Sequence, residues 1–167
     1  LSRQKYETLG MPHQTAVAEL EIADIYAELN LTAEAIEIYQ RLIPKLRGLK
    51  MRAEEARARS NFGRALISNE NFRAARAELK RAAALFEREK NAIAAAAVRL
   101  RLAALELSQK SFAAALSIAD DAATTLDDSA NVRLRLSCLW LRGEILSKLD
   151  RTDEARELPV GHRRLVD

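Results

Sequence analysis

A chain of 167 residues with 49% hydrophobic and 31% charged side chains can bury one sizeable core, or several stacked units that share one. Five glycines and three prolines among abundant Ala, Leu, Arg and Glu favour helix, and no apolar run approaches the roughly 18–20 residues of a bilayer-spanning helix. The net charge of +3 is unevenly spread: residues 1–44 hold 3 basic and 7 acidic side chains, residues 45–101 hold 15 and 6, and residues 102–167 hold 9 and 11. Cys138 is the only cysteine, so an intrachain disulfide is excluded and a small buried apolar group is its expected role. The opening LSRQKYETLG lacks the apolar segment of a signal peptide, and a cytoplasmic location is expected.

In chain order, LSRQKYETLG aligns with RLIPKLRGLK and RAAALFEREK, the closing turns of a second helix. It reads as the end of a preceding repeat, residues 1–11, and the chain is expected to be a piece of a longer protein. Helices are predicted over Pro12–Leu29 paired with Thr32–Arg47, Arg52–Asn69 with Phe72–Glu89, and Asn91–Gln109 with Phe112–Leu126. A fourth pair starts near Asn131, reaches Leu149 and restarts at Thr152, with Pro159 interrupting it. Apolar residues keep helical spacing, as in Ile22, Ile25, Tyr26 and Leu29. Pro12 suits a first turn, Asn71, Ser111 and Asn131 suit N-caps, and Gly48 suits a helix C-terminus. Pro44 removes a donor inside the second helix, so a kink or an early end is expected there.

The strongest signal is internal repetition. Ala23, Gly63, Ala103 and Gly143 stand 40 residues apart, and Ala35, Ala75, Ala115 and Ala155 follow them at a spacing of 12. Glycine in a helix interior costs roughly 1 kcal/mol relative to alanine, so Gly63 needs a reason. Two small residues on either side of a tight turn let antiparallel helices approach closely. The reading is all-α: one α-solenoid of antiparallel helix pairs, with units at about 12–50, 51–90, 91–130 and 131–167, the last incomplete.

The sets Ala23, Tyr26, Ala35, Tyr39 and Gly63, Leu66, Ala75, Leu79 resemble the tetratricopeptide repeat, and the third and fourth copies (Ala103, Glu106, Ala115, Ala119; Gly143, Leu146, Ala155, Pro159) follow less closely. The resemblance covers almost the whole chain and implies a right-handed superhelix. Glu19, Arg59 and Arg99 stand where the family carries a large aromatic residue, and the period of 40 exceeds the family's usual one. Long repeats of this type resemble those of the anaphase-promoting complex subunit 5 group and of bacterial CHAT-domain proteins. HEAT-type repeats are the alternative at the level of the fold.

Catalytic chemistry finds no constellation. His13 and His162 lie at opposite ends, the paired acids sit in solvated positions, and the five glycines never cluster into a phosphate loop. No enzyme activity, cofactor or metal is expected. By the resemblance, first helices line a concave surface, and the partner-binding candidates are Arg57, Arg64, Leu100, Leu107, Trp140 and Glu144. Bland roles compete: a solvated face for Arg57 and Arg64, core for Leu100 and Leu107, helix packing for Trp140. Asp24, Leu20 and Ala97 stand where a chaperone-carboxylate clamp would need other polar residues, so that partner class is rejected. The expected function is a protein-interaction scaffold that takes a peptide or protein segment. Its alternatives are positioning or regulating an enzyme domain such as a caspase-like CHAT protease elsewhere in the parent chain and, as a minor reading, nucleic-acid binding by the basic middle third. Apolar solenoid ends are further expected to permit a homodimer.

Overall fold

The 40-residue phase is built from two 20-residue steps. The computed structural model describes residues 10–158, and its elements are all helices: α1 (Pro12–Glu28), α2 (Thr32–Gly48), α3 (Arg52–Ser68), α4 (Phe72–Arg88), α5 (Ala92–Ser108), α6 (Phe112–Leu126), α7 (Val132–Lys148) and α8 (Thr152–Glu157). No strand occurs among the described residues. The readings placed on LSRQKYETL, Pro159 and His162 lie outside them.

The step length has a backbone cause. Asn30, Lys50, Glu70, Lys90, Lys110 and Asp150 all have φ between 57° and 60°, each in the middle of a three-residue link. A left-handed residue there closes the helix by reversed hydrogen bonds. Leu31 N–H donates to Tyr26 O at 2.9 Å and Asn30 N–H to Ala27 O at 3.3 Å; Met51 and Lys50 repeat this on Leu46 and Arg47, and Asn71 and Glu70 on Leu66 and Ile67. Within each unit, links this short make the joined helices antiparallel neighbours. The α6–α7 connection is the exception: α6 stops after 15 residues and residues 127–131 follow without a left-handed residue.

Start signals act as expected at Asn71 and Asn131, whose side chains accept from the Ala74 and Leu134 N–H groups at 3.3 and 3.1 Å; Asn91 does the same for Ala94 at 3.1 Å. Ser111 makes no such bond, a correction to the reading of that residue as a cap. Gly48 is the last residue of α2, but the left-handed position is Lys50. Pro44 does not end α2 early: the helix runs on to Gly48. Pro44 and Gln40 both lie on the exposed face, where water can take the Gln40 carbonyl that loses its donor.

The chain divides into two compact units, residues 1–90 and 91–167. Unit 1 holds α1–α4 and unit 2 holds α5–α8, two helix pairs each. In unit 1 Tyr39, Leu42, Leu46 and Leu79 are completely buried, and the Tyr39 and Phe62 rings lie 6.0 Å apart at a tilt of 37°. In unit 2 the core joins Ala96, Leu100 and Ala103 of α5 and Ala115, Ala119 and Leu126 of α6 to Cys138, Leu141 and Ile145 of α7. Cys138 is the inert buried group expected: its Sγ sits 3.6 Å from the Ala119 carbonyl, and burial pushes the thiol above its usual pKa.

Gly63 answers to packing. A Cβ built there would lie 2.8 Å from both Cγ and Cδ2 of the fully buried Leu79 and 3.5 Å from the Ala75 carbonyl. Ala23 and Ala103, its counterparts, are likewise completely buried. Gly143 differs: its Cβ would meet only Leu158 Cδ1, at an ordinary 3.8 Å. Gly63→Ala therefore overpacks a core, at about 1–3 kcal/mol, and should lower the urea midpoint despite a helix-propensity gain of about 1 kcal/mol. Gly143→Ala keeps the gain and should raise it. Lys50→Gly, which relieves a left-handed non-glycine residue, should stabilise by about 1 kcal/mol in the same measurement.

Candidate functional site

Charged residues in place of large aromatics are accommodated in unit 1 by pairing. Arg59, only 3% exposed, lies on α3 between two carboxylates. Its Nε and Nη2 donate to Glu55 Oε1 at 3.0 and 2.8 Å, and its Nη1 donates to Glu78 Oε2. Arg47 also donates to Glu55, at 3.2 Å, and Arg81 to Glu78, at 2.5 Å. The five side chains thus tie α2, α3 and α4 together. Glu19 is buried on α1 and accepts from Lys45 of α2 at 3.1 Å. Removing one partner of such a buried pair leaves an uncompensated charge, which costs several kcal/mol.

Above this layer lies the polar surface that the first helices of unit 1 expose. Asp24 of α1 is its centre. Oδ1 accepts from Tyr39 Oη at 2.6 Å and Asn61 Nδ2 at 2.8 Å, while Oδ2 accepts from Arg57 Nε and Nη2 at 3.1 and 2.5 Å. Burial first, then the bond to Asp24, holds the Tyr39 phenol far above its usual range, whereas Arg64 and Arg57 pull in the opposite direction. Both guanidiniums therefore act on one spot. Arg57, Asn61 and Arg64 occupy one face of α3, with Arg57 and Arg64 exposed and Asn61 half-buried.

The structure separates the sequence-derived candidates. Arg57 and Arg64 share the α3 face, but Arg57 is already engaged with Asp24, so it is not an independent grip on a ligand. Leu100 is 7% exposed and belongs to the unit 2 core; its repeat counterparts Leu20 and Ser60 are equally buried, at 1% and 4%. That position turns into the helix stack, which corrects the reading of Leu100 as a surface contact. Leu107 is half-buried and packs on the same unit 2 core. Trp140 is 70% exposed, and the half-buried Glu144 lies one turn along α7. Sequence reasoning missed the roles of Tyr39 and Asn61 as donors to Asp24, 15 and 37 residues away, and the exposure of Leu136 at 52%.

Comparison with known proteins fits this geometry. The tetratricopeptide repeat family matches residues 20–43, which span α1 into α2. No curated protein sequence matches the chain. Among solved structures, BtubC from P. vanneervenii superposes with a TM-score of 0.80 at 14% identity, over 87% of this chain and 60% of its own. Tetratricopeptide-like repeats of a Podospora anserina protein described as a kinesin light chain give 0.71 at 13% identity, over 93% and 87%. A Rap protein in complex with Competence and Sporulation Factor gives 0.67 at 17%, over 92% and 53%. The fold is tetratricopeptide-like. At such identities the likeness concerns the fold alone, and this chain spans 60% of the BtubC chain and 53% of the Rap chain.

Among the described residues no group of three or more His, Cys, Asp and Glu could hold a metal, and no helix is long and apolar enough to cross a membrane. Arg59→Ala should destabilise the protein by about 3–5 kcal/mol, since Glu55 and Glu78 lose their shared cation; a denaturation curve beside that of the exposed-site control Arg73→Ala checks this.

Proposed function

We propose that the chain is a protein-interaction scaffold, and that α3 of unit 1 takes an acidic stretch of a peptide or protein across Arg57, Asn61 and Arg64. The observation that carries this reading is the occupied Asp24 carboxylate. Its two oxygens already accept four hydrogen bonds, from Tyr39, Asn61 and Arg57, so Asp24 has little capacity left for a ligand. Its charge is spent in holding Arg57 in place. What faces solvent is a preset guanidinium edge, with a second, Arg64, two turns along the same helix. Guanidinium forks suit carboxylates because two parallel N–H donors match two oxygens. Preorganisation of Arg57 also lowers the ordering cost of binding. A Rap protein with the same fold has been solved in complex with Competence and Sporulation Factor, which supports a protein or peptide ligand as the class to test.

The nucleic-acid reading loses support for an electrostatic reason. Lys45, Arg47, Arg52, Arg57, Arg59 and Arg81 of the basic segment are each paired with a carboxylate of unit 1. These six cations share five carboxylates, Glu19, Asp24, Glu55, Glu78 and Glu89, before any phosphate arrives, and Arg59 is buried as well. Counterion release needs exposed, unpaired cations along the strand.

Fluorescence anisotropy with a labelled Asp/Glu-rich peptide library tests the proposal. Arg64→Glu should weaken the best binder by at least about tenfold, the range of one charge-assisted contact (~1.5–3 kcal/mol), with Arg73→Glu as control. Equal binding by parent and Arg64→Glu would remove the α3 face as the site.

A further inference from the structure

We infer that α7 of one copy docks against α1 of a second copy, through the kind of junction that the chain makes once inside each of its units. In unit 1, α1 turns Ala16 and Leu20 inward, 0% and 1% exposed, and α3 packs on both α1 and α2. In unit 2, Ala96 and Leu100 of α5, 0% and 7% exposed, share one core with Cys138, Leu141 and Ile145 of α7. Forty residues beyond Ala96 and Leu100 stand Leu136 and Trp140, which are 52% and 70% exposed. The inward side of a first helix is therefore bare on α7, and it carries larger side chains than its counterparts.

The complementary half is bare on α1. The covering position is Ala65 on α3 and Ile145 on α7, 4% and 0% exposed. Its counterpart on α1 is Ile25, 55% exposed, with Leu29 one turn on at 65%. One chain thus presents both halves of the same junction, each uncovered. Large exposed apolar groups grouped in this way mark interaction surfaces rather than ordinary surface. Charge supports the pairing: α1 carries Glu19, Glu21, Asp24 and Glu28 with no Lys or Arg, whereas α7 carries Arg133, Arg135, Arg142 and Lys148 against Glu144 alone. Part of this is paired internally, through Lys45, Arg57 and Asp120, yet the two helices keep opposite signs, which favours their encounter.

The register has one unfavourable contact, and it provides a signature. In unit 1 Asn61 donates to Asp24 at 2.8 Å. The equivalent pair between copies is Glu21 against Glu144, two carboxylates that repel at neutral pH. The junction is heterologous, pairing different faces of two copies, so single-face variants can complement each other.

Sedimentation of the 167-residue chain over a wide concentration range tests the inference. Mass should rise with concentration. Trp140→Ser and Ile25→Ser, both at exposed positions, should each weaken self-association at least about tenfold, as for loss of an interface anchor, while helical circular dichroism stays unchanged. An equimolar mixture of the two variants should recover a dimer with parental affinity, because each keeps the face that the other lacks. Glu21→Asn should tighten association. A monomer at every concentration, variants that associate like the parent, a mixture that does not recover, or no gain from Glu21→Asn would each overturn the inference.

Discussion

The distance between helix axes in a pair governs the rest of this fold. At Gly63 the approach is so close that a single methyl group would run into Leu79. Ala23, Ala35, Ala75, Ala103 and Ala115, all completely buried, hold the same role at their crossings. A large side chain at one of these points would push the helices apart and open the core along its length, since packed interiors leave no spare volume. Small residues at fixed intervals are therefore a requirement of geometry, and the glycine's propensity cost is accepted to meet it. Gly143, where a methyl group would make only an ordinary contact, shows the requirement relaxed on α7.

Unit 1 joins its two helix pairs by the aromatic contact of Tyr39 with Phe62 and by a layer of ions. The Arg47, Glu55, Arg59, Glu78 and Arg81 cluster satisfies each buried polar atom with another, and among the described residues no buried side-chain nitrogen or oxygen lacks a partner. Such a network does little for net stability compared with apolar packing, because desolvation opposes the attraction. It does demand one arrangement: the three helices must be placed so that every fork meets its carboxylate. The same economy shapes the surface, where Asp24 uses its charge to fix Arg57 and leaves two guanidiniums facing water.

A repeat protein presents two kinds of surface, and both occur here. The row that includes Asp24, Arg57, Asn61 and Arg64 is polar, and Asp24 holds Arg57 and Asn61 in place. The rows at Leu136 and Trp140 and at Ile25 and Leu29 are apolar and exposed at 52–70%. The distinction follows from register: the first row points away from the helix stack, while the second points along it.

Helices, their pairing and their order were legible in the sequence because they depend on local, periodic features: small residues every 40, apolar stripes, Asn before a first turn. The predicted helix limits lie within two residues of those observed from α1 to α7. Local pattern also identified the buried cysteine and the reason for Gly63. Three matters needed the tertiary structure. Pro44 stays inside α2 because its orphaned carbonyl faces water, and sequence alone does not say which face is wet. The 20-residue step rests on left-handed Lys and Glu residues whose side chains do not announce that backbone. The fate of the charges was hidden most of all. Arg57 looked like a free guanidinium and Leu100 like a surface contact, and only folding brought Asp24 to the one from 33 residues away and wrapped a core around the other. Period and propensity act between neighbours in the chain, whereas a charge finds its partner, and a side chain its burial, through neighbours in space.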